Sequence, residues 1–164
     1  MTRLPESSLP PMLDTSSPMG IALSQDEKIL YVSDNGLEQD KRELRAYPIQ
    51  DDGTLGPYIV LHTFGSDHRG PHWGISGMCL DSEGHIIACA GSEKSGPGPM
   101  IYVFAPSGQI IETHPISERP TKCAFGDEDL STIYVTTERG HVYRVRHSGR
   151  RGLYPPSLGE RKSL

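Results

Sequence analysis

Apolar and polar positions along this chain repeat one arrangement three times. The copies are Met19-Gly-Ile-Ala-Leu-Ser-Gln-Asp-Glu-Lys-Ile-Leu-Tyr-Val-Ser33, Ser76-Gly-Met-Cys-Leu-Asp-Ser-Glu-Gly-His-Ile-Ile-Ala-Cys-Ala90 and Lys122-Cys-Ala-Phe-Gly-Asp-Glu-Asp-Leu-Ser-Thr-Ile-Tyr-Val-Thr-Thr137. In each, a short apolar run meets an acidic turn bearing Gly or Ser, and a second run rich in Ile, Val, Tyr or Ala follows. Such a pattern predicts two antiparallel strands joined by a tight turn. Self-similarity at a period of tens of residues, built from short strands, predicts an all-β fold made of propeller blades.

The first blade is expected over 19–64, with strands near 20–24, 29–33, 43–49 and 58–63 and a hairpin turn at Asp51-Asp-Gly-Thr54. The second is expected over 76–116, with strands near 76–80, 85–90, 100–105 and 109–115. The third is expected over 121–146, with strands near 121–125, 132–137 and 141–146. Residues 1–17 carry Pro, Ser and Thr without a sustained apolar period and read as a flexible arm. Residues 148–164 read as a flexible basic tail beyond the blades at 18–147.

The stretch from Pro18 to Asp34, Arg42-Glu-Leu-Arg-Ala-Tyr47, Gly77-Met-Cys-Leu-Asp81, Cys123-Ala-Phe-Gly-Asp127, Ile133-Tyr-Val-Thr-Thr137 and Gly140-His-Val-Tyr-Arg-Val145 resemble one family. It is the SMP-30/gluconolactonase/LRE family, and the resemblance is to its C-terminal half. That resemblance implies about three blades of a six-bladed propeller, a half propeller in a truncated chain. It further implies a metal-dependent hydrolase of sugar lactones, using a divalent ion such as Ca, Mg, Mn or Zn.

The same resemblance locates the chemistry. The family's Pro-Asn-Gly motif supplies an Asn ligand, and this chain reads Pro18-Met19-Gly20. The family's Asp-Gly-Met motif supplies an Asp that binds metal and acts as base, and this chain reads Ser76-Gly77-Met78. Met19 and Ser76 thus stand at metal positions, and Ser76 also at the catalytic one. The family's Glu ligand and its substrate-gripping Arg and Asn belong to its N-terminal half. A hard divalent ion wants charged or carbonyl oxygens, whereas a thioether suits soft metals. A serine hydroxyl without an activating partner is a poor base. The implied lactonase is therefore expected to have reduced or lost activity. The alternative is a non-catalytic binding or interaction fragment of the same fold.

Other groups are candidates for the same site. Asp67-His68-Arg-Gly-Pro-His72-Trp73 gathers two His, an Asp and the single Trp in a loop that the resemblance turns toward the central cavity. His72 and Trp73 are candidates for a softer metal or for substrate, although Gly70-Pro71 rules out a regular helix that would align the histidines. The stretch Gly91–Pro99 reads as a long hairpin loop, which the resemblance sets at the entrance, making Glu93 and Lys94 candidate ligand contacts. Asp34 reads either as a group reaching the cavity or as an Asx-type turn before the charged run Glu38–Glu43. Ser76 lies in no Gly-x-Ser-x-Gly elbow, which excludes a serine-hydrolase reading.

Composition adds limits. A net charge of −5 speaks against a nucleic-acid surface. No run approaches the ~18 apolar residues of a membrane span, and the N-terminus lacks a secretory apolar core, so a cytoplasmic location and no membrane partner are expected. Three cysteines fit a reducing compartment. Cys79 and Cys89 fall on neighbouring strands, where a bridge is conceivable, and burial as small apolar groups is the plainer reading. Three blades would leave apolar faces on the first and the last. A homodimer completing the ring is the partner that this geometry implies, beside a sugar lactone as ligand.

Overall fold

Turn chemistry and alternation produce thirteen strands and no helix over the described residues, 14–36 and 41–153, in the computed structural model. The first sheet joins Pro18–Leu23 (β1), Ile29–Asp34 (β2), Arg42–Pro48 (β3) and Ile59–Phe64 (β4) in chain order. A small hairpin, Ser66–Asp67 (β5) with Gly70–Pro71 (β6), leads to the second sheet. That sheet joins Ile75–Leu80 (β7), Ile86–Ser92 (β8), Ser95–Phe104 (β9) and Ile110–Pro115 (β10). The third sheet has Pro120–Gly126 (β11), Thr132–Thr137 (β12) and Val142–Val145 (β13). All pairings are antiparallel between sequence neighbours. The first strands of the three sheets, β1, β7 and β11, pack side by side.

Within the middle sheet, β8 is buried on both faces. Ile86, Ile87, Ala88, Cys89 and Ala90 are all fully buried, which explains why β8 is a continuous apolar run rather than an alternating one. Even positions of β8 face the first sheet, where Tyr31, Leu44, Ala46 and Phe64 meet Ile86, Ala88, Tyr102 and Phe104. Odd positions face the third, where Ile87, Cys89, Ile101 and Val103 meet Ile133 and Val135.

The outward faces of the end sheets differ from each other, unlike the two apolar faces expected. On β1, Met19, Ile21 and Leu23 form an exposed apolar stripe. On the third sheet, register places Lys122, Thr136 and Val142, then Ala124, Tyr134 and Arg144, on one face. With Cys123, Phe125, Ile133 and Val135 turned toward the second sheet, that outward face is mostly polar.

The described parts of both chain ends and one loop make specific contacts. Asp14–Ser17 is tied down rather than loose: Asp34, 2% exposed, accepts from Ser17 N at 2.7 Å and Ser16 N at 3.1 Å, and Arg45 reaches the Asp14 carbonyl at 2.7 Å. Asp34 neither enters the cavity nor builds an Asx turn; it pairs with Arg45 at 2.9 Å. Residues 148–153 likewise return to the second sheet, where Gly152 bridges Asp81 and Leu153 packs on the core. Residues 1–13 and 154–164 lie outside the described residues. The Gly91–Pro99 stretch is not a long loop, because β8 and β9 run into it and leave only Glu93 and Lys94 at the turn. Positive φ at Gly91, Gly96 and Gly98, at +79°, +74° and +98°, lets the two backbones twist closely together there.

His62 on β4 packs edge-on to Phe64 at 4.7 Å and lies 5.1 Å from Phe104, and burial holds its imidazole below the ordinary histidine value of 6.5. Below that value the unfolded chain binds a proton that the folded chain resists. Stability is therefore full above the unfolded value and falls as pH drops through it. Urea midpoints between pH 7.5 and about 5 should fall less in His62→Phe than in the natural chain. An equal fall in both would assign the acid sensitivity elsewhere.

Candidate functional site

The starts of β1 and β7 are stitched together at the level of Met19 and Ser76. Ser33 Oγ accepts from Gly20 N at 2.7 Å and donates to Ile75 O at 2.9 Å. Asn35 Nδ2 donates to the same carbonyl at 2.9 Å. A Cβ on Gly20 would lie 2.9 Å from Ser33 Oγ, so only glycine allows this approach. β7 and β11 come closer still: a Cβ on Gly77 would lie 2.5 Å from Thr121 O and 3.0 Å from Lys122 Cα. Gly20 and Gly77 thus have packing reasons independent of any chemistry.

Met19 is exposed, whereas Ser76 is buried with its hydroxyl engaged. Trp73 Nε1 donates to Ser76 Oγ at 3.3 Å. The Arg119 guanidinium lies over the Trp73 ring, 3.7 Å from its centroid, and meets Glu138 at 3.2 Å. Arg119 Nε is buried with no hydrogen-bond partner among the described residues. Beside it, Glu118 is buried and accepts from Tyr143 at 2.9 Å and from His141 Nδ1 at 2.7 Å. Burial pushes the Glu118 carboxyl up, but bonds from Tyr143, His141 and Thr137 pull it down overall.

The sequence reading missed Arg119 and Glu118. Their signal was weak: a charged pair immediately before Pro120, where the third sheet's first strand begins.

The other candidates separate. His72 turns away from Trp73 and wedges near Gly65 and Gly96, with Nε2 buried, lacking a hydrogen bond and 3.7 Å from Asp67 Oδ2. Asp67 is consumed by structure: it accepts from Arg69 N at 2.8 Å, the Arg69 guanidinium at 2.7 Å and Gly96 N at 2.9 Å. Those bonds, led by the Arg69 side chain, hold its carboxyl well below the usual range. Glu93 spans to the third sheet and meets Arg139 at 3.6 Å, while Lys94 caps its own turn through Ser92 Oγ.

The donor set at Met19 and Ser76 does not fit a hard divalent ion. One position offers a soft sulfur, and the other a neutral hydroxyl already bonded to an indole N–H. Among the described residues one group of three metal-type ligands lies close together, Asp81, Glu83 and His85. It sits at the far end of β7. There Arg150 Nη1 lies 2.8 Å from Asp81 Oδ2 and 3.0 Å from His85 Nδ1, so a fixed cation already occupies that corner.

A cavity of about 340 Å³ opens between the second halves of β1, β7 and β11. Its lining of Ile21, Leu23, Met78, Leu80 and Phe125 is apolar and offers a sugar no hydrogen-bonding side chain. The polar groups suited to one are Trp73, Ser76, Arg119 and Glu138, at the opposite strand ends.

A family profile described as the SMP-30/Gluconolactonase/LRE-like region matches residues 6–139. The 6-deoxy-6-sulfogluconolactonase of Pseudomonas putida is 33% identical over 121 residues, 73% of this chain and 38% of its own length. The gluconolactonase of Zymomonas mobilis subsp. mobilis is 31% identical over 137 residues, 80% of this chain and 35% of its own length. The chain therefore spans little more than a third of the length of these curated relatives. A solved luciferin-regenerating enzyme superposes with a TM-score of 0.67 at 24% identity, covering 85% of this chain and 48% of that one. The likeness shows a shared fold, with the three sheets as blades of a β-propeller.

Proposed function

The chain belongs to the SMP-30/gluconolactonase/LRE-like family, and from that premise we propose that it is a gluconolactonase-like propeller segment whose own metal site is impaired. In this reading it retains a rim that receives a sugar lactone or sugar acid and lacks the groups that activate water. The observation that carries this is Ser76. Ser76 is buried, its hydroxyl is bonded to Trp73 Nε1, and among the described residues no histidine or carboxylate hydrogen-bonds to it.

Hydrolysis of a lactone requires water made nucleophilic by a base or a metal ion, and donors for the oxyanion formed at the carbonyl. Ser76 supplies neither a base nor charge, and Met19 supplies no hard ligand. A planar indole stacked on a guanidinium, with Glu138 beside it, is chemistry that recognises hydroxyls and carboxylates. That rim favours the non-catalytic alternative, binding without turnover, for this segment on its own.

The test is hydrolysis of gluconolactone, followed above its spontaneous rate with Ca²⁺, Mg²⁺, Mn²⁺ or Zn²⁺ and again with chelator. The natural chain is expected to add nothing measurable, since loss of a base alone costs about 10²–10⁴ in rate. Met19→Asn with Ser76→Asp is expected to give calorimetric Ca²⁺ binding that the natural chain lacks. Chelator-sensitive turnover by the natural chain would overturn the impaired-site reading.

A further inference from the structure

The three cysteines, dispersed in sequence, converge where the second and third sheets meet. Cys79 on β7 and Cys123 on β11 place their sulfurs 3.5 Å apart, at van der Waals contact. The third, Cys89, is fully buried on β8 and packs in the same cluster. All three are free thiols. The strands that carry the pair are already at their closest: Gly77 and Lys122, two and one residues earlier, leave no room for a methyl group between the backbones. Cys123 Sγ donates to Ile87 O at 3.3 Å while it stays in contact with Cys79 Sγ. Cys79 also lines the 340 Å³ cavity between the strands, so a small reagent reaches it without unfolding.

Cys89 lies beside Cys123 but not opposite Cys79. On the β7–β8 ladder Cys79 stands opposite Ile87, and Cys89 stands opposite Gly77. The Cys79–Cys89 bridge that neighbouring strands made conceivable is therefore off register, and the contact falls between blades instead.

We propose that Cys79 and Cys123 are a redox-modifiable pair that closes into a disulfide between the second and third blades, with Cys89 left as a spectator. The reaction breaks two S–H bonds and forms one S–S bond. Two electrons and two protons pass to an oxidant such as a diazene, which becomes a hydrazine, or a small disulfide, which becomes two thiols. The Cys79 thiol is pushed far up by its bond with Cys123 and by burial. At Cys123 the Cys79 contact pulls down, while Cys89 and burial push up and prevail. Both sulfurs thus stay protonated at neutral pH, and closure is a slow covalent staple and not a fast sensor. Because the bond would lock β7 to β11, it would also fix Ser76 relative to Arg119 across the rim.

The experiment treats the folded natural chain with diamide, then counts thiols after denaturation and maps peptides by mass spectrometry. The expected result is a fall from three thiols to one, a mass lower by two hydrogens, and a linked peptide pair joining Cys79 to Cys123. Reductant should reverse it, and the oxidised monomer should unfold at a higher temperature. Cys89→Ala should behave like the natural chain, whereas Cys123→Ala should lose the intramolecular bond. Should Cys123→Ala fail to fold, the peptide map of the natural chain still decides. Three surviving thiols, a bond to Cys89, or a bond only between two chains would each overturn the proposal.

Discussion

Asp81→Ala is expected to lower unfolding stability by about 3 kcal/mol, because it leaves the buried Arg150 cation with only Glu112, at the blade's exposed edge, as counter-charge. It also strips two turn amides of their acceptor. Asp81 is 1% exposed and accepts from Glu83 N and His85 N, each at 2.9 Å. Its second oxygen meets His85 Nδ1 at 2.9 Å and Arg150 Nη1 at 2.8 Å. The same arginine also pairs with Glu112 on β10, so one side chain from beyond the last strand holds both edges of the middle blade. Burial pushes the Asp81 carboxyl up, yet Arg150 and His85 pull it below its ordinary value. A carboxylate depressed in this way gives stability that is present above its unfolded value and lost as pH falls through the folded one. Urea unfolding of Asp81→Ala, Arg150→Met and the double variant measures the coupling. The double variant should be more stable than Asp81→Ala, since it removes the stranded charge. Additive losses within about 0.5 kcal/mol would mean that the two groups act independently.

Phe104→Ala is expected to cost about 3–5 kcal/mol by leaving a cavity between the first and second blades. Phe104 is fully buried at the end of β9, stacked on Tyr102 with centroids 5.7 Å apart and an interplanar angle of 18°. His62, from the first blade, completes the contact at 5.1 Å, and Phe64 meets Tyr102 edge-on at 5.7 Å. These four rings pack together within the apolar layer between the two sheets, so the space left by one of them is walled by rigid neighbours. Phe104→Leu, which keeps much of the volume, should cost about 1.5 kcal/mol or less. Equal losses for both variants would show that ring stacking and not volume sets the penalty.

Much of the architecture was legible in the residues because strand physics is local. Alternating apolar positions beside Asp51-Asp-Gly-Thr54 placed the four strands of the first sheet to within two residues. The turn at Asp52 shows why: its carboxylate accepts from Thr54 N at 2.9 Å while Gly53 takes φ +81°, both encoded within three residues. Where glycine spacing permitted either a loop or a twisted hairpin, as at Gly91–Pro99, local pattern could not choose. The cross-strand register of β8 and β9 chose.

The site divides along the same line. The family, and the reading that sets Met19 and Ser76 at two of its ligand positions, come from the sequence alone, because they rest only on residue identity along the chain. The bond from Trp73 to Ser76, three residues on, and the wedging of His72 near Gly65 and Gly96 are set by the loop that enters the second blade. That Trp73 lies under Arg119 depends on contact between blades. The meeting of Cys79 with Cys123, 44 residues apart, depends on the same kind of contact. Identity, hydropathy and turn propensity determined the strands and the chemistry available at each position. Packing of one sheet against the next decided which of those groups meet, since the apolar faces that bring the sheets together carry no record of which polar residues will face each other at their ends.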